Sequence, residues 1–517
     1  MRSELAMTVS AFDSRRAGIP AKALWLSAIT RKWLTTGVMN NLGARLLVML
    51  LAGVLQFHQL GRDIRFHPDE ANFMTYARGA AVNGDWLLPG ALDKPPLTIY
   101  SSAISMVATG VVADDEGVLH LDPLVGEFAA RLPNVIMTIL LAGLMMRLSW
   151  AVFGDGLAAL AAGLLTALSP YVLAFGATAF TDLGLLFFSV LALYWVECQG
   201  YRKAGLALGL AFWCKQQALL LLPLVVLLLV AKGARRASVI RLVMPLVLLS
   251  LLLIVWDAAR PETSVFLLGS VNNLPAQWIA DPAEWPGRLL EWARLGAWLL
   301  GPPVVTASLL GLAALRPFVG RATRPIASQT RIYLAYIVGF VALHTILAFN
   351  QYDRYLSLVL PPLILVASSH LPALLPRGRL RKGLSLALAI VLVSGALWSL
   401  GNGLPIGGDR GQHDGIDDLA RYLKSKPVAT VIYDPWLGWE LGYYLGQWHN
   451  KRRVHYPTAE TLAEGALALN EVGDRYLVAL VDRGYEDWIA ALEAAGFVLT
   501  LDYEHNRYIV YRISRAG

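Results

Sequence analysis

The chain has 517 residues, 56% of them hydrophobic and 16% charged, with a formal net charge of +7. Soluble domains carry about a quarter charged residues, and apolar runs of membrane-spanning length recur over the first 400 positions, so the composition excludes an ordinary soluble protein and points to a polytopic α-helical membrane protein. Basic loops that set membrane topology account for the positive charge without a nucleic-acid partner.

Residues 1–41 are too long for a signal peptide, and no small-residue cleavage site follows an apolar core. Residues 23–33 can lie on the membrane as an amphipathic helix. Seven Arg or Lys fall in residues 1–45, against Glu4 and Asp13, which predicts a cytoplasmic N-terminus. A first span at 42–60 then delivers residues 61–125 to the outside. That loop holds nine acids and four bases, in keeping with an external position.

The loop contains "FHPDEANFMTYARGAAVNGDWLLPGALDKPPL". Pro68 can begin a helix with Asp69 and Glu70 in its first turn, where the helix dipole favours acids. Phe73 and Tyr76 then share a face with Asp69. First-turn acids often serve only as caps. A carboxylate at a membrane edge, facing a cavity, can also take a proton from a hydroxyl. Lys94, stiffened by two prolines, suits a phosphate as a point charge or snorkels to the interface.

Further spans are predicted at about 126–150, 156–175 and 183–199. Residues 204–231 read as two short helices hinged near Lys215. Spans at about 240–256, 292–315, 332–349, 356–375 and 383–400 follow, about eleven in all. The basic clusters Arg202/Lys203, Lys232–Arg241, Arg316–Arg331 and Arg377–Lys382 fall inside by this alternation. Cys198 and Cys214 lie in apolar runs and read as lipid-facing or packed thiols. Residues 257–290 form an external loop. After a linker near 401–415, helices at 416–423, 437–445, 459–469 and 485–495 alternate with strands at 429–433, 453–456, 476–481, 498–502 and 507–511. This is an α/β pattern, expected as an extracytoplasmic domain over 401–517. It lacks a Gly-rich phosphate loop.

Asp182 begins the 183–199 span on the outer side, after the Ser169-Pro170 turn. It is either a helix-start acid or a functional intramembrane carboxylate. By topology it can share a cavity with Asp69. Lys215 points the same way. Arg354 and Tyr355, in "AFNQYDRYLSLVLPP", lie at another external helix start, where Arg354 binds an anion or pairs with Asp353. Arg131 is an anchor or a ligand, and His344 a hydrogen-bonded core histidine. An acid with several cations at one membrane level is what an alcohol nucleophile and a phosphate leaving group require. A lipid-linked sugar phosphate is the natural donor outside the cytoplasm.

Residues 40–370 resemble the GT-C glycosyltransferases of the protein O-mannosyltransferase and aminoarabinose-transferase superfamily. The similarity is carried by the loop quoted above, "ARLPNVIMTIL", "ALSPYVLAFGATAFTD", "GLALGLAFWCKQ" and "DRYLSLVLPP". It implies a GT-C catalytic domain over 42–400 in the plasma (inner) membrane. Asp69 would be the base, supported by Glu70, with Asp182 as second acid. Lys94, Arg354, Lys215 and Arg131 would bind the donor phosphate, and His67, Tyr76 and Tyr355 the substrates. The donor would be a polyprenyl-phosphate-linked sugar, and the acceptor a hydroxyl or phosphate group of a lipid, glycan or protein. Transfer would proceed with inversion by direct displacement, with no cofactor and typically without a divalent metal.

Two departures narrow this. Asn72 stands where aminoarabinose transferases tend to carry arginine, and the C-terminal domain is not a carbohydrate-binding trefoil. Two other classes fit the composition: a secondary transporter and a carrier-binding envelope-assembly protein. Against the transporter, no internal repeat of equal halves is visible and the acids cluster at one face.

Overall fold

The computed structural model of the protein describes residues 42–319, 328–374, 379–402, 406–407, 411–446, 450–469 and 473–515. The expected N-terminal segment and its amphipathic helix lie outside the described residues, as do Arg321, Arg324 and Arg377.

Helices form where the apolar runs predict them, but with different lengths. In chain order the first are α1 (Leu42–Leu60), α2 (Pro68–Asn83), α3 (Leu97–Thr109), α4 (Pro123–Phe153), α5 (Gly156–Leu168), α6 (Pro170–Gly176), α7 (Asp182–Glu197), α8 (Tyr201–Cys214) and α9 (Leu222–Ala231). They continue with α10 (Arg236–Ala258), α11 (Val265–Asn273), α12 (Trp285–Gly296), α13 (Pro303–Val319), α14 (Ser328–Ile346), α15 (Leu360–Leu374) and α16 (Arg379–Asn402).

Among the described residues, α1, α4 and α10 are long and apolar enough to cross a membrane, and α5 with α6 makes a fourth span if that pair, bent by 51°, counts as one. Of the about eleven spans expected, three or four are thus long and apolar enough among the described residues. Breaks in the backbone divide the apolar runs. Pro170 bends the third predicted span. Lys215 is extended (φ −160°, ψ 137°) and ends α8, after which Gln216–Leu221 is a 3-10 turn. Pro303 starts α13 and splits the predicted 292–315 span. The 14 residues of α8 rise only about 21 Å, short of a hydrocarbon core of about 30 Å.

Small residues let these helices approach closely. A Cβ on Gly205 of α8 would stand 1.9 Å from the Leu242 carbonyl oxygen of α10, so the two backbones touch there. Helix α4 packs against α1, α5 and α7, and α7 against α8. The two cysteines are free thiols, Cys214 buried and Cys198 exposed.

The loop after α1 holds more structure than predicted. Besides α2 it contains α3 and a small hairpin of β1 (Val111–Ala113) and β2 (Leu119–Leu121). The C-terminal domain follows the predicted order, with α17 (Ile416–Lys424), β3 (Val431–Tyr433), α18 (Gly438–Leu445), β4 (Arg452–Val454), α19 (Ala459–Ala468), β5 (Arg475–Leu480), α20 (Glu486–Ala494), β6 (Phe497–His505) and β7 (Tyr508–Arg515). The sheet order is β4-β3-β5-β7-β6. Strand β3 runs parallel to β4 and β5, and β7 antiparallel to β5 and β6.

One hydrophobic core unites this domain with the loop after α1. Leu441, Tyr443 and Tyr444 of α18 share a cluster with Phe66 and with Phe73, Met74 and Ala77 of α2. The Phe66 and Tyr443 rings meet edge-on at 4.7 Å. Tyr444 Oη accepts the Phe66 N–H at 2.8 Å and donates to Glu127. Truncating a fully buried leucine costs about 2–5 kcal/mol. Leu441→Ala is therefore expected to lower the thermal unfolding temperature and to speed amide hydrogen exchange in α2 as well as α18. Exchange faster in α18 with α2 unchanged would show that the two cores are independent.

Candidate active site

The start of α2 organises the site. His67 is its N-cap, with extended backbone; its Nδ1 accepts the Asp69 N–H at 3.1 Å, and the Glu70 carboxylate accepts the His67 N–H at 3.1 Å. Pro68 supplies the first helical position, where no amide donor is needed. Burial lowers the His67 pKa, and the nearby Asp69 and Glu70 charges do not reverse this. The ring is therefore neutral near pH 7.

Asp69 and Glu70 are adjacent in sequence but have different partners. Glu70 is buried, and its carboxylate also accepts from the Ala179 N–H (2.7 Å) and from Arg131 Nε (3.1 Å) and Nη2 (3.2 Å). Arg131 further donates to the carbonyls of Ile64 (2.8 Å) and Arg65 (3.3 Å) and covers the Phe66 ring. Glu70 is expected to support the base and Arg131 to meet the donor phosphate; in the structure their polar atoms are taken up in tying α2, α4 and the segment before α7 together.

Asp69 pairs with Arg354, which lies 285 positions later in the 3-10 turn Asp353–Leu358. The guanidinium lies over the rings of Phe180 (5.5 Å) and Tyr352 (5.0 Å). Asp353 is not its partner. The Asp353 carboxylate accepts the backbone N–H groups of Arg354 (2.7 Å) and Gly407 (2.6 Å), and Tyr171 Oη donates to the Arg354 carbonyl at 2.9 Å. Burial pushes the Asp69 carboxyl up, but the Arg354 charge and hydrogen bond, helped by His67 and Lys94, hold it below the usual aspartate range.

A second ionic pair is buried beside the first. Asp182 Oδ1 accepts from Lys215 Nζ at 2.7 Å. The ammonium sits 5.4 Å from the Tyr355 ring, whose hydroxyl donates to Asn273 at 3.4 Å. Lys94 pairs with its neighbour Asp93, and the Asp93 carbonyl accepts from Gln216, next to Lys215, at 3.0 Å. Lys94 and Arg354 lie within electrostatic range of Lys215, and Arg354 within range of Asp182. The structure therefore gathers Asp69, Asp182, Lys94, Lys215, Arg354 and Tyr355. His67 stands at the edge of this group.

Tyr76 packs instead on the turn that carries Asp93 and Lys94. Gly90 there has φ +120°, and a Cβ on it would stand 2.9 Å from the Tyr76 ring. Arg260 holds the same turn through the carbonyls of Leu88 (2.9 Å) and Gly90 (2.7 Å). Sequence reasoning missed Arg260, because an arginine just past an apolar helix looks like any interfacial anchor. His344 is buried, with Nδ1 2.9 Å from the Phe340 carbonyl, as expected of a core histidine.

Residues 124–257 match the family model for dolichyl-phosphate-mannose-protein mannosyltransferase. That segment includes Arg131, Asp182 and Lys215, and excludes Asp69, Lys94 and Arg354. No curated protein sequence matches the chain significantly. Among solved structures, ArnT from Cupriavidus metallidurans bound to undecaprenyl phosphate is similar over 91% of this chain and 98% of that chain, with 15% identity and a TM-score of 0.61. The Archaeoglobus fulgidus oligosaccharyltransferase tethered with an acceptor peptide is similar over 92% and 74%, with 12% identity and a TM-score of 0.50. The mycobacterial arabinofuranosyltransferase AftD is similar over 91% and 40%, with 15% identity and a TM-score of 0.51. The fold is that of the GT-C glycosyltransferases.

Removing one partner of a buried, hydrogen-bonded ion pair costs about 3–5 kcal/mol. Arg131→Ala is expected to lose about that much stability, measured by thermal unfolding in nanodiscs. Glu70→Gln/Arg131→Met together should lose less than the sum of the two single changes. Additive losses would mean that the pair is not coupled.

Proposed function

We propose that this GT-C-fold membrane protein is an inverting glycosyltransferase that moves a monosaccharide from a polyprenyl-phosphate carrier to a hydroxyl acceptor at the extracytoplasmic membrane face. The observation that carries the reading is the convergence of the Asp69–Arg354 and Asp182–Lys215 pairs with Lys94. The likeness to a solved structure holding undecaprenyl phosphate supports it through the fold. The N-terminus lies in the cytoplasm and the C-terminal domain outside the plasma (inner) membrane.

In this mechanism the acceptor oxygen attacks the anomeric carbon from the face opposite the phosphate. Its proton passes to Asp69 as the new C–O bond forms. The bond from the anomeric carbon to the phosphate oxygen breaks, and its electron pair stays on the phosphate. Arg354, Lys215 and Lys94 meet the charge that develops there, in a site where such charges act strongly. Tyr355 flanks Lys215 and contributes to holding the donor. Asp182 keeps the buried Lys215 ammonium charged. Arg354 is shared between base and phosphate. A phosphate that takes up its donors loosens its hold on Asp69 and makes that carboxylate a better base.

Purified protein in nanodiscs, given polyprenyl-phosphate-linked sugars, is expected to transfer or slowly hydrolyse the sugar. Asp69→Asn should cut that turnover by roughly 10²–10⁴-fold and leave donor binding in place. Equal turnover by the variant would remove Asp69 from the chemistry.

The pH profile gives a second check. The base acts when ionised, so activity is present above its pKa and lost as pH falls through it. With Asp69 held below the usual aspartate range by Arg354, the wild-type acid limb should lie at or below that range. Arg354→Ala removes the opposing charge and leaves burial to act, so the limb should move to higher pH. A limb that stays in place would show that Arg354 does not govern the base.

A further inference from the structure

A cavity of about 610 Å³ opens between the N-cap of α2 and the C-terminal domain. Its volume is that of a small-molecule site. Its lining includes His67, His413, Trp436, Trp439, Glu440 and Arg483, none of which takes part in the mechanism above.

The two indoles are differently held. Asp434 Oδ1 accepts the N–H groups of Trp436 (3.3 Å) and Leu437 (2.7 Å), and the Trp436 ring meets Trp488 edge-on at 5.5 Å. Trp439, in the first turn of α18, is 53% exposed. A large apolar ring left in water beside polar groups is a surface prepared for a partner with both an apolar face and hydroxyls.

The deeper polar groups complement this. His413 Nδ1 is buried without a hydrogen-bond partner among the described residues, and the Glu440 carboxylate is 3.5 Å away. Burial pushes the Glu440 carboxyl up to about 7, and burial, with the His67 and Arg507 charges, pushes His413 down to about 4. Near neutral pH the deep wall thus offers the uncharged His413 ring and the Glu440 carboxyl near its midpoint as hydrogen-bonding groups for hydroxyls, while Arg507, also on the lining, is paired with Asp482. Arg483 is exposed.

His67 joins this cleft to the base. Its ring lies 6.2 Å from that of His413, and its Nδ1 holds the Asp69 N–H at 3.1 Å. We infer that the cleft is the acceptor subsite and that its occupant is a saccharide, the glycan portion of the acceptor, stacked on Trp436 and Trp439 and hydrogen-bonded by His413, Glu440 and His67. This rests on the glycosyltransferase reading, and it selects a glycan from the lipid, glycan and protein acceptors open there.

The test compares two activities of the full-length protein in nanodiscs. One is transfer of labelled sugar from the polyprenyl-phosphate donor to a glycolipid and polysaccharide extract of bacterial envelopes. The other is hydrolysis of the same donor without extract. Trp439→Ala should lower the ratio of transfer to hydrolysis about tenfold, the effect of losing one aromatic anchor. Trp439→Phe, which keeps a ring, should restore most of it. An unchanged ratio, a loss of both activities together, or label found only on protein or on glycan-free lipid would overturn the inference. A wild-type protein that turns over no donor would instead defeat the glycosyltransferase reading itself.

Discussion

A buried carboxylate persists only when its lone pairs are taken up. Glu70 meets that demand with four donors from three separate places: the His67 amide, the Ala179 amide, and two nitrogens of Arg131. The constraint fixes the start of α2 against α4 and against the segment that leads into α7. Asp69 is one residue from that anchor on one side, and Asp182 is three residues from Ala179 on the other. The placement of both acids therefore follows from the satisfaction of a third acid between them.

The remaining charges are poised rather than stabilising. Buried ion pairs roughly break even against apolar residues of similar size, so the Asp69–Arg354 and Asp182–Lys215 pairs contribute little to holding helices together that already pack through apolar contacts. Their value lies in exchange. Arg354, gripped between Phe180 and Tyr352 and fixed through its own backbone by Asp353 and Tyr171, keeps its position when its carboxylate partner changes. A guanidinium with five donors can serve two anions in turn. Lys215, at a break between helices, is likewise held by the backbone geometry as well as by Asp182.

Much of this was legible in the sequence. The alternation in the C-terminal domain placed its elements to within a few residues, because period-2 and helical patterns are local. The Pro-Asp-Glu start of α2 was equally local. The separation of roles between Asp69 and Glu70 was not, since successive residues on a helix point about 100° apart and their partners lie tens to hundreds of positions away. The pairing of Arg354 with Asp69 rather than with Asp353 had no local signal either. Arg131 read as a possible phosphate ligand because a charge near a membrane edge looks the same whether its partner is a ligand or a carboxylate. Helix lengths were misjudged for a related reason. Apolar runs report burial, in lipid or in protein, whereas the breaks at Pro170, Lys215 and Pro303 depend on backbone geometry.

The core shared by α2 and α18 has a consequence for the order in which the molecule is made. Phe66 and Tyr444 are 378 residues apart, and synthesis at about 5–20 residues per second separates them by roughly 20–75 s. Throughout that interval the helix bearing Asp69 stands without the tyrosines that cover it. The apolar face of α2 must be sheltered by something else, or must wait in a less ordered form, while the intervening helices insert. The helix that carries Asp69 is thus translated early and covered late, once α18 has left the ribosome.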